Sequence, residues 1–421
     1  MPRTLRFRPS RRTVRLALAT VATGGSVLAV AAPAFATTPT SFTAGDLVVY
    51  QVTEASGGPS STAGTVALVD YGTNGTPSGY SVAMPTANSG STHEFVESGS
   101  ATNDGLLMLS ADGQFLYATG YQDAPGTTKL TKAASIPRVV GIVSSTGVVD
   151  TSTSLSDAQT EGTSAAPNNF RSATGLTGGT SAIYNAGDGG VATTSDGATS
   201  NTFLNTTNPN GTPHQVGTYN NNLYMSTSTN IVAVGTGLPP SASPTLTNLI
   251  SSTPTGFDPN GFTFVTLGSG TAADTLYVAD TGANAVEKYA FNGTSATLEG
   301  SVSVPNPTGI AVSVSSGVAS LYVTAAATGT GNTFATVLDE LTDSSGVAGT
   351  LPSGTTVNLL ATAGASSSFH GLAWAPSAPA ATTPESPIIV ALPLLGLVLF
   401  GGAFVVYRRR HRTSAGPVSF S

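Results

Sequence analysis

"NGFTFVTLGSGTAADTLYVADTGANAVEKYAFNGTSATLEGSVSVPN", residues Asn260 to Asn306, divides into four short apolar runs separated by turn residues. The runs are Phe262 to Leu267, Thr275 to Ala279, Ala285 to Phe291 and Ala296 to Val304. Gly, Asp and Asn fill the breaks, and these residues accept the positive φ of tight hairpin turns. Four antiparallel strands joined in this way make one blade of a β-propeller. The following stretch, with "GIAV" from Gly309 and "LYVTAA" from Leu321, returns to the same phrase at nearly the same spacing, so the chain is internally periodic.

An inner strand of such a blade should open with a polar residue, then a small one, then an apolar run. Six places are candidates: Asp104-Gly105-Leu106, Arg171-Ser172-Ala173, Asn260-Gly261-Phe262, Thr308-Gly309-Ile310 and His370-Gly371-Leu372, with His214-Gln215-Val216, where Gln stands in the small position. Glycine suits the second position because inner strands crowd the axis and a Cβ would obstruct the approach. The fold expected is all-β, a propeller of six four-stranded blades, or seven if residues 236–259 hide another. The last inner strand, in "SFHGLAWAPS" (Ser368 to Ser377), has no room for partners after it. Leu47 to Val52, Thr65 to Asp70 and Tyr80 to Ala83 are three strands without an inner one. Pairing "HGLAWAP" with "GDLVVYQV" therefore closes the ring and removes an exposed sheet edge, with Trp374 packed between blades.

"LYVADTGANAVEKY" resembles the NHL type of propeller repeat. "FTAGDLVVYQV" from Phe42, "ATNDGLLMLSADGQFLYATGY" from Ala101, "RVVGIVSSTGVVDTSTSLSDA" from Arg138 and "NNFRSATGL" from Asn168 are similar to phrases of an uncharacterised family of secreted bacterial propellers. The resemblance is closest between Phe42 and Gly175. It implies the fold of a secreted propeller, and it carries over no catalytic residue.

The two ends point to export. Residues 1–36 carry six arginines, an apolar stretch and the small-residue site Ala34-Phe35-Ala36, the pattern of a secretory signal peptide. Residues 387–407, "PIIVALPLLGLVLFGGAFVVY", are uncharged and long enough to span roughly 30 Å of hydrocarbon as a helix. "RRRHR" follows at once, which places residues 408–421 in the cytoplasm. Residues 37–376 are then the exported propeller, and the Pro-rich residues 377–386 its spacer from the membrane.

Between Thr37 and Ser386 five basic residues face all 22 acidic ones, a net −17. Such a body repels nucleic acid and anionic lipid. There is no cysteine, so disulfides, thiolate metal sites and a cysteine nucleophile are excluded. Lys129, Lys132 and Arg138 form a basic cluster, expected in a solvated loop.

Asp104, Arg171, His214, Asn260, Thr308 and His370 should gather at one mouth of the central channel as a ligand-binding ring, or line it and bond to each other and to water. The sequence holds no HxH, HExxH or nucleophile elbow. No cofactor is expected. Calcium is the one ion that the Asp-Gly turns "SADGQ" (110–114), "NAGDGG" (185–190), "TSDGAT" (194–199) and "DTGAN" (280–284) could offer oxygens, yet Asp-Gly is also ordinary hairpin chemistry. The expected function is a monomeric cell-surface module binding an extracellular protein or glycan. The alternative is a propeller hydrolase or lactonase using a metal or water at the channel mouth.

Overall fold

The computed structural model describes residues 39–379, apart from 56, 129, 131–134, 157–168, 180–181, 206–209, 239, 241, 330 and 332. The signal peptide, the apolar segment 387–407, the tail, Lys129 and Lys132 lie outside the described residues. Among the described residues no helix is long and apolar enough to cross a membrane.

The described chain is all-β. One nine-stranded sheet contains β1 (Leu47–Thr53), β2 (Ala63–Tyr71), β3 (Pro77–Ala83), β4 (Val96–Ser98), β5 (Met108–Leu109), β6 (Phe115–Tyr121), β7 (Arg138–Ser144), β8 (Val149–Leu155) and β25 (Ser367–Trp374). Its order is β25-β1-β2-β4-β6-β7-β8, with β3 on β2 and β5 on β6. The short β4 touches both β2 and β6, and so joins a quartet made by β25, β1, β2 and β3 to another made by β5 to β8.

Four separate four-stranded sheets follow. The first holds β9 (Phe170–Gly175), β10 (Ile183–Gly187), β11 (Gly190–Thr194) and β12 (Thr202–Asn205), and the second β13 (Pro213–Tyr219), β14 (Asn222–Thr227), β15 (Asn230–Val234) and β16 (Leu246–Asn248). The third holds β17 (Pro259–Val265), β18 (Thr275–Asp280), β19 (Ala285–Phe291) and β20 (Ala296–Ser303). The last holds β21 (Ile310–Ser315), β22 (Val318–Ala325), β23 (Val337–Asp343) and β24 (Val357–Thr362). All are antiparallel, in chain order, as tight hairpins dictate.

The first strands touch in a cycle: β25 meets β5, β5 meets β9, and the contacts pass through β13, β17 and β21 back to β25. Sheets disposed around one axis make a β-propeller. β25 completes its quartet by pairing with β1, Leu47 opposite Trp374 and Thr53 opposite Ser367. The axis is as crowded as the glycine pattern implies. A Cβ on Gly371 would stand 1.9 Å from the Leu107 nitrogen, and one on Gly309 2.7 Å from the Leu372 nitrogen.

Two inner strands start differently from the sequence reading. Asp104-Gly105-Leu106 does not begin a regular strand; Gly105 has φ +69, and β5 is only Met108–Leu109. The chain is instead turned across the axis, and Leu106 N bonds to the Arg171 carbonyl of the neighbouring sheet. Thr308 and Gly309 precede β21, held by the Thr324 carbonyl and hydroxyl.

The core lies between sheets. One cluster joins Tyr277, Val286 and Val302 to Ile310, Leu321 and Leu341, and another joins Leu47, Val49 and Tyr71 to Tyr322, Phe369 and Leu372. Trp374 meets the Tyr322 ring edge-on at 5.6 Å, and its Nε1–H donates to the Val312 carbonyl. It packs between sheets, as expected.

Candidate functional site

All six residues named from the sequence are buried, at 6% exposure or less. They gather where the inner strands begin, and the segment Thr102-Asn103-Asp104 runs through the middle of them. Asn260 Nδ2 donates to the Thr102 carbonyl at 3.1 Å, and Thr308 Oγ1 donates to the same oxygen at 3.4 Å. His370 Nδ1 lies 3.0 Å from the Asp104 carbonyl. His214 Nε2 lies 3.5 Å from Asn103 Nδ2. The mouth is thus filled by the chain itself, and Asn260, Thr308, His370 and His214 are bonded to the segment that fills it.

These bonds settle the histidine tautomers. A carbonyl only accepts, so Nδ1 of His370 carries the proton and Nε2 accepts from Ser368 Oγ at 3.1 Å. His214 Nδ1 likewise donates to the Pro259 carbonyl at 2.9 Å, leaving Nε2 as acceptor for the Asn103 amide. Burial depresses both rings, His370 to about 4 and His214, with help from the nearby Arg171 charge, to about 3. Both are neutral imidazoles at neutral pH, with each ring nitrogen engaged.

The charged part of the site extends inward. Asp104 accepts the Tyr121 hydroxyl on Oδ2 at 3.0 Å and has Arg171 Nε 3.6 Å from Oδ1. Burial pushes its carboxyl up to about 7, against the pull of Arg171 and Tyr121. Arg171 also reaches the Pro213 carbonyl at 3.0 Å and Asp188 Oδ1 at 2.5 Å, and Asp188 is partly open to solvent. Glu97, fully buried in β4, is raised well above the carboxylate range, first by burial and then by Asp104. Nothing in the sequence around "FVESG" distinguished Glu97 from a surface residue.

Arg138 corrects an expectation. It is not in a solvated loop but buried at the start of β7, its guanidinium 5.3 Å from the Tyr121 ring centroid and bonded to the Ile136 carbonyl. Burial lowers its pKa, and the neighbouring Tyr121, Asp104 and Glu97 oppose that shift. Together with Arg171 and Lys288, every lysine and arginine among the described residues is buried. Lys288 bonds Asp343 at 2.8 Å and the Gly349 carbonyl at 2.9 Å, both under the loop that follows β23.

The aspartates of the Asp-Gly turns are engaged by the protein's own donors. Asp112 accepts Ser110 Oγ and Gln114 N, Asp280 accepts the nitrogens of Gly282 and Ala283, and Asp196 accepts the Ser152 and Thr153 hydroxyls. Asp188 is committed to Arg171. Among the described residues no group of three or more His, Asp or Glu side chains is placed to hold a metal ion.

Around the filled mouth the polar end has two open hollows. One, about 590 Å³, lies beside Glu54, Ser60, Thr62 and Pro125. The other, about 480 Å³, lies among Ser228, Thr229, Thr253, Phe257 and Asp258. Hydroxyls and a single carboxylate line each of them, beside glycine and proline and, in the second, Phe257.

No family model matches the chain. None of the curated proteins compared with it is similar in sequence. Among solved structures, a chain of a nidogen/laminin complex is 14% identical with a TM-score of 0.45, covering 78% of this chain and 98% of its own. A periplasmic gluconolactonase of Pseudomonas aeruginosa is 12% identical with a TM-score of 0.41, over 79% and 100%. A putative 6-phosphogluconolactonase of Bacteroides fragilis is 14% identical with a TM-score of 0.43, over 74% and 82%. Likeness at this level says nothing of what the chain binds or turns over.

Proposed function

We propose that this is an exported six-bladed propeller, tethered by residues 387–407, that serves as a binding or scaffold module for an extracellular protein or neutral glycan. The observation that carries the reading is the filling of the polar mouth by Thr102 to Asp104, which commits Asn260, Thr308 and His370 to its carbonyls and His214 to the Asn103 amide. A catalyst needs a free base or nucleophile within reach of substrate, and both imidazoles are fully bonded. The six first strands that touch in a cycle support six blades. The hydroxyl-lined hollows beside Ser60 and Thr229 are the surfaces for a partner, and the lack of any exposed lysine or arginine among the described residues favours a neutral or cationic one over nucleic acid.

The test is retention of the full-length protein on immobilised neutral glycans and envelope proteins, repeated with Ser60→Arg and Thr229→Arg, which fill the hollows. Retention lost in either variant supports the module. One feature favours the second reading, a lactonase or other hydrolase: the Asp104 carboxyl, pushed up to about 7, sits one arginine away from the solvent-touched Asp188. Lactone turnover that disappears in Asp104→Asn, with no retention on any surface, would replace the first reading with this one.

A further inference from the structure

The two ends of the propeller axis differ in chemistry. Each first strand starts at the polar end and runs away from it, so the turns at 110–114, 220–221, 266–274 and 316–317 lie at the opposite end. The turns that join third to fourth strands, 145–148 and 344–356, lie there too. The axis at this end holds a hollow of about 120 Å³ lined by Leu109, Phe262, Val312, Leu372 and Trp374. Of the large apolar side chains exposed among the described residues, Val148 and Val347 are on its turns and Val314 and Val318 flank the 316–317 turn, at 68%, 42%, 37% and 36% exposure. Leu298 and Leu359 are on the outermost strands, and none is at the polar end. Single exposed valines are ordinary, but three of these crowd one place. Val347 packs toward Gly268, and the Val314–Val318 hairpin approaches Leu267 through Gly317.

The chain also leaves the propeller here. β25 ends at Trp374, Ala375 N bonds to the Asp46 carbonyl, and Ser377 N bonds to the Gly113 carbonyl. Only seven residues, 380–386, separate the last described residue from the apolar segment 387–407. Fully extended, seven residues reach at most about 25 Å. The apolar end is therefore held next to whatever surface that segment enters.

We infer that this apolar end docks on the surface of the lipid bilayer, with the valine turns in the headgroup region, so that the polar end and its two hollows face away from the cell. The inference rests on reading residues 387–407 as a membrane anchor. The docking is apolar rather than ionic: Asp112 and Asp196 are exposed at this end, and no exposed lysine or arginine among the described residues meets headgroup phosphates. Neutral lipid suits it, and anionic lipid opposes it.

Trp374 is the sole tryptophan of the chain and lies at this end. Full-length protein is reconstituted into phosphatidylcholine vesicles whose acyl chains carry bromine close to the headgroup, and tryptophan emission is read. Docking quenches emission about twofold or more, weakens when half the lipid is phosphatidylglycerol, and is lost in the combined Val148→Ser, Val314→Ser, Val318→Ser, Val347→Ser variant. Emission equal to that in unbrominated vesicles, from chain that resists alkaline extraction, overturns the docking and leaves the anchor standing. Energy transfer between labelled copies without bromine quenching shows a second copy on this end and also overturns it. Chain released by alkaline extraction refutes the anchor, and the docking with it.

Discussion

Gly371→Ala should be among the most damaging small substitutions in the chain. The added methyl would sit 1.9 Å from the Leu107 nitrogen and 2.5 Å from the Gly105 carbonyl oxygen, both backbone atoms that cannot rotate aside. Either β25 or the 105–107 segment must move, and the Gly371 N–H to Gly105 carbonyl bond and the His370 to Asp104 bond, each 3.0 Å, are then lost. Leaving buried groups unpaired costs about 1–3 kcal/mol each, and forcing a methyl into a packed site about 1–3 kcal/mol more. The expected loss is about 5 kcal/mol, a large share of the stability of an ordinary domain. Urea unfolding followed by Trp374 fluorescence measures it, since the tryptophan is three residues along the same strand. Gly364→Ala is the control, with its nearest neighbour, Ser367 Oγ, 3.8 Å away, and should change stability by no more than about 0.5 kcal/mol. If Gly371→Ala unfolds within about 1 kcal/mol of the parent, the crowded axis is not what holds β25 in place.

Acidity provides a second test. The Asp104 carboxyl, raised to about 7, keeps its proton in the folded chain where the unfolded chain has released it. Its contribution is complete below the unfolded value near 4 and is lost as pH rises through 7, a change on the order of 4 kcal/mol. His214 and His370, depressed to about 3 and 4, act oppositely: their contribution is present above about 6.5 and is lost as pH falls through those values. Stability should peak in mildly acid solution, and Asp104→Asn should flatten the decline between pH 5 and pH 8; an unchanged decline in urea midpoints would contradict this. Lys288→Met removes the counter-charge of the buried Asp343 carboxylate, which keeps its bonds from Tyr277 and Ser345, and should cost about 3–5 kcal/mol, part of it recovered by adding Asp343→Asn, which removes the charge and keeps polar partners for both. Thermal melts in which the double variant is no better than the single would show that the lysine contributes packing rather than charge.

The hairpin from Thr275 to Phe291 was legible residue by residue, because its alternating apolar pattern and Asp-Thr-Gly-Ala-Asn turn specify two strands locally. The pairing of β25 with β1 was legible for a different reason: an inner strand without followers and three strands without an inner one have a single economical solution. The mouth was legible as a set of residues and not as a structure. What fills it is Thr102-Asn103-Asp104, a polar tripeptide that reads as any surface turn until inner strands more than a hundred residues away close around it. Arg138, Lys288 and Glu97 were illegible because charged residues are buried only where partners distant in the sequence await them, and local pattern does not encode such partners. The short β4 escaped notice because three residues make no periodicity.

The ladder between β1 and β25 also has a mechanical meaning. In the proposed anchoring the chain leaves for the membrane after Trp374, while a partner held at the polar end would pull the other way. Tension then runs along the length of β25, and its bonds to β1, from Leu47–Trp374 to Thr53–Ser367, are loaded in shear together rather than peeled one at a time. A protein without a single covalent cross-link would in this way resist being pulled off the cell. Single-molecule pulling from the C-terminus should show one abrupt rupture, in place of the stepwise unzipping that a peeled ladder gives.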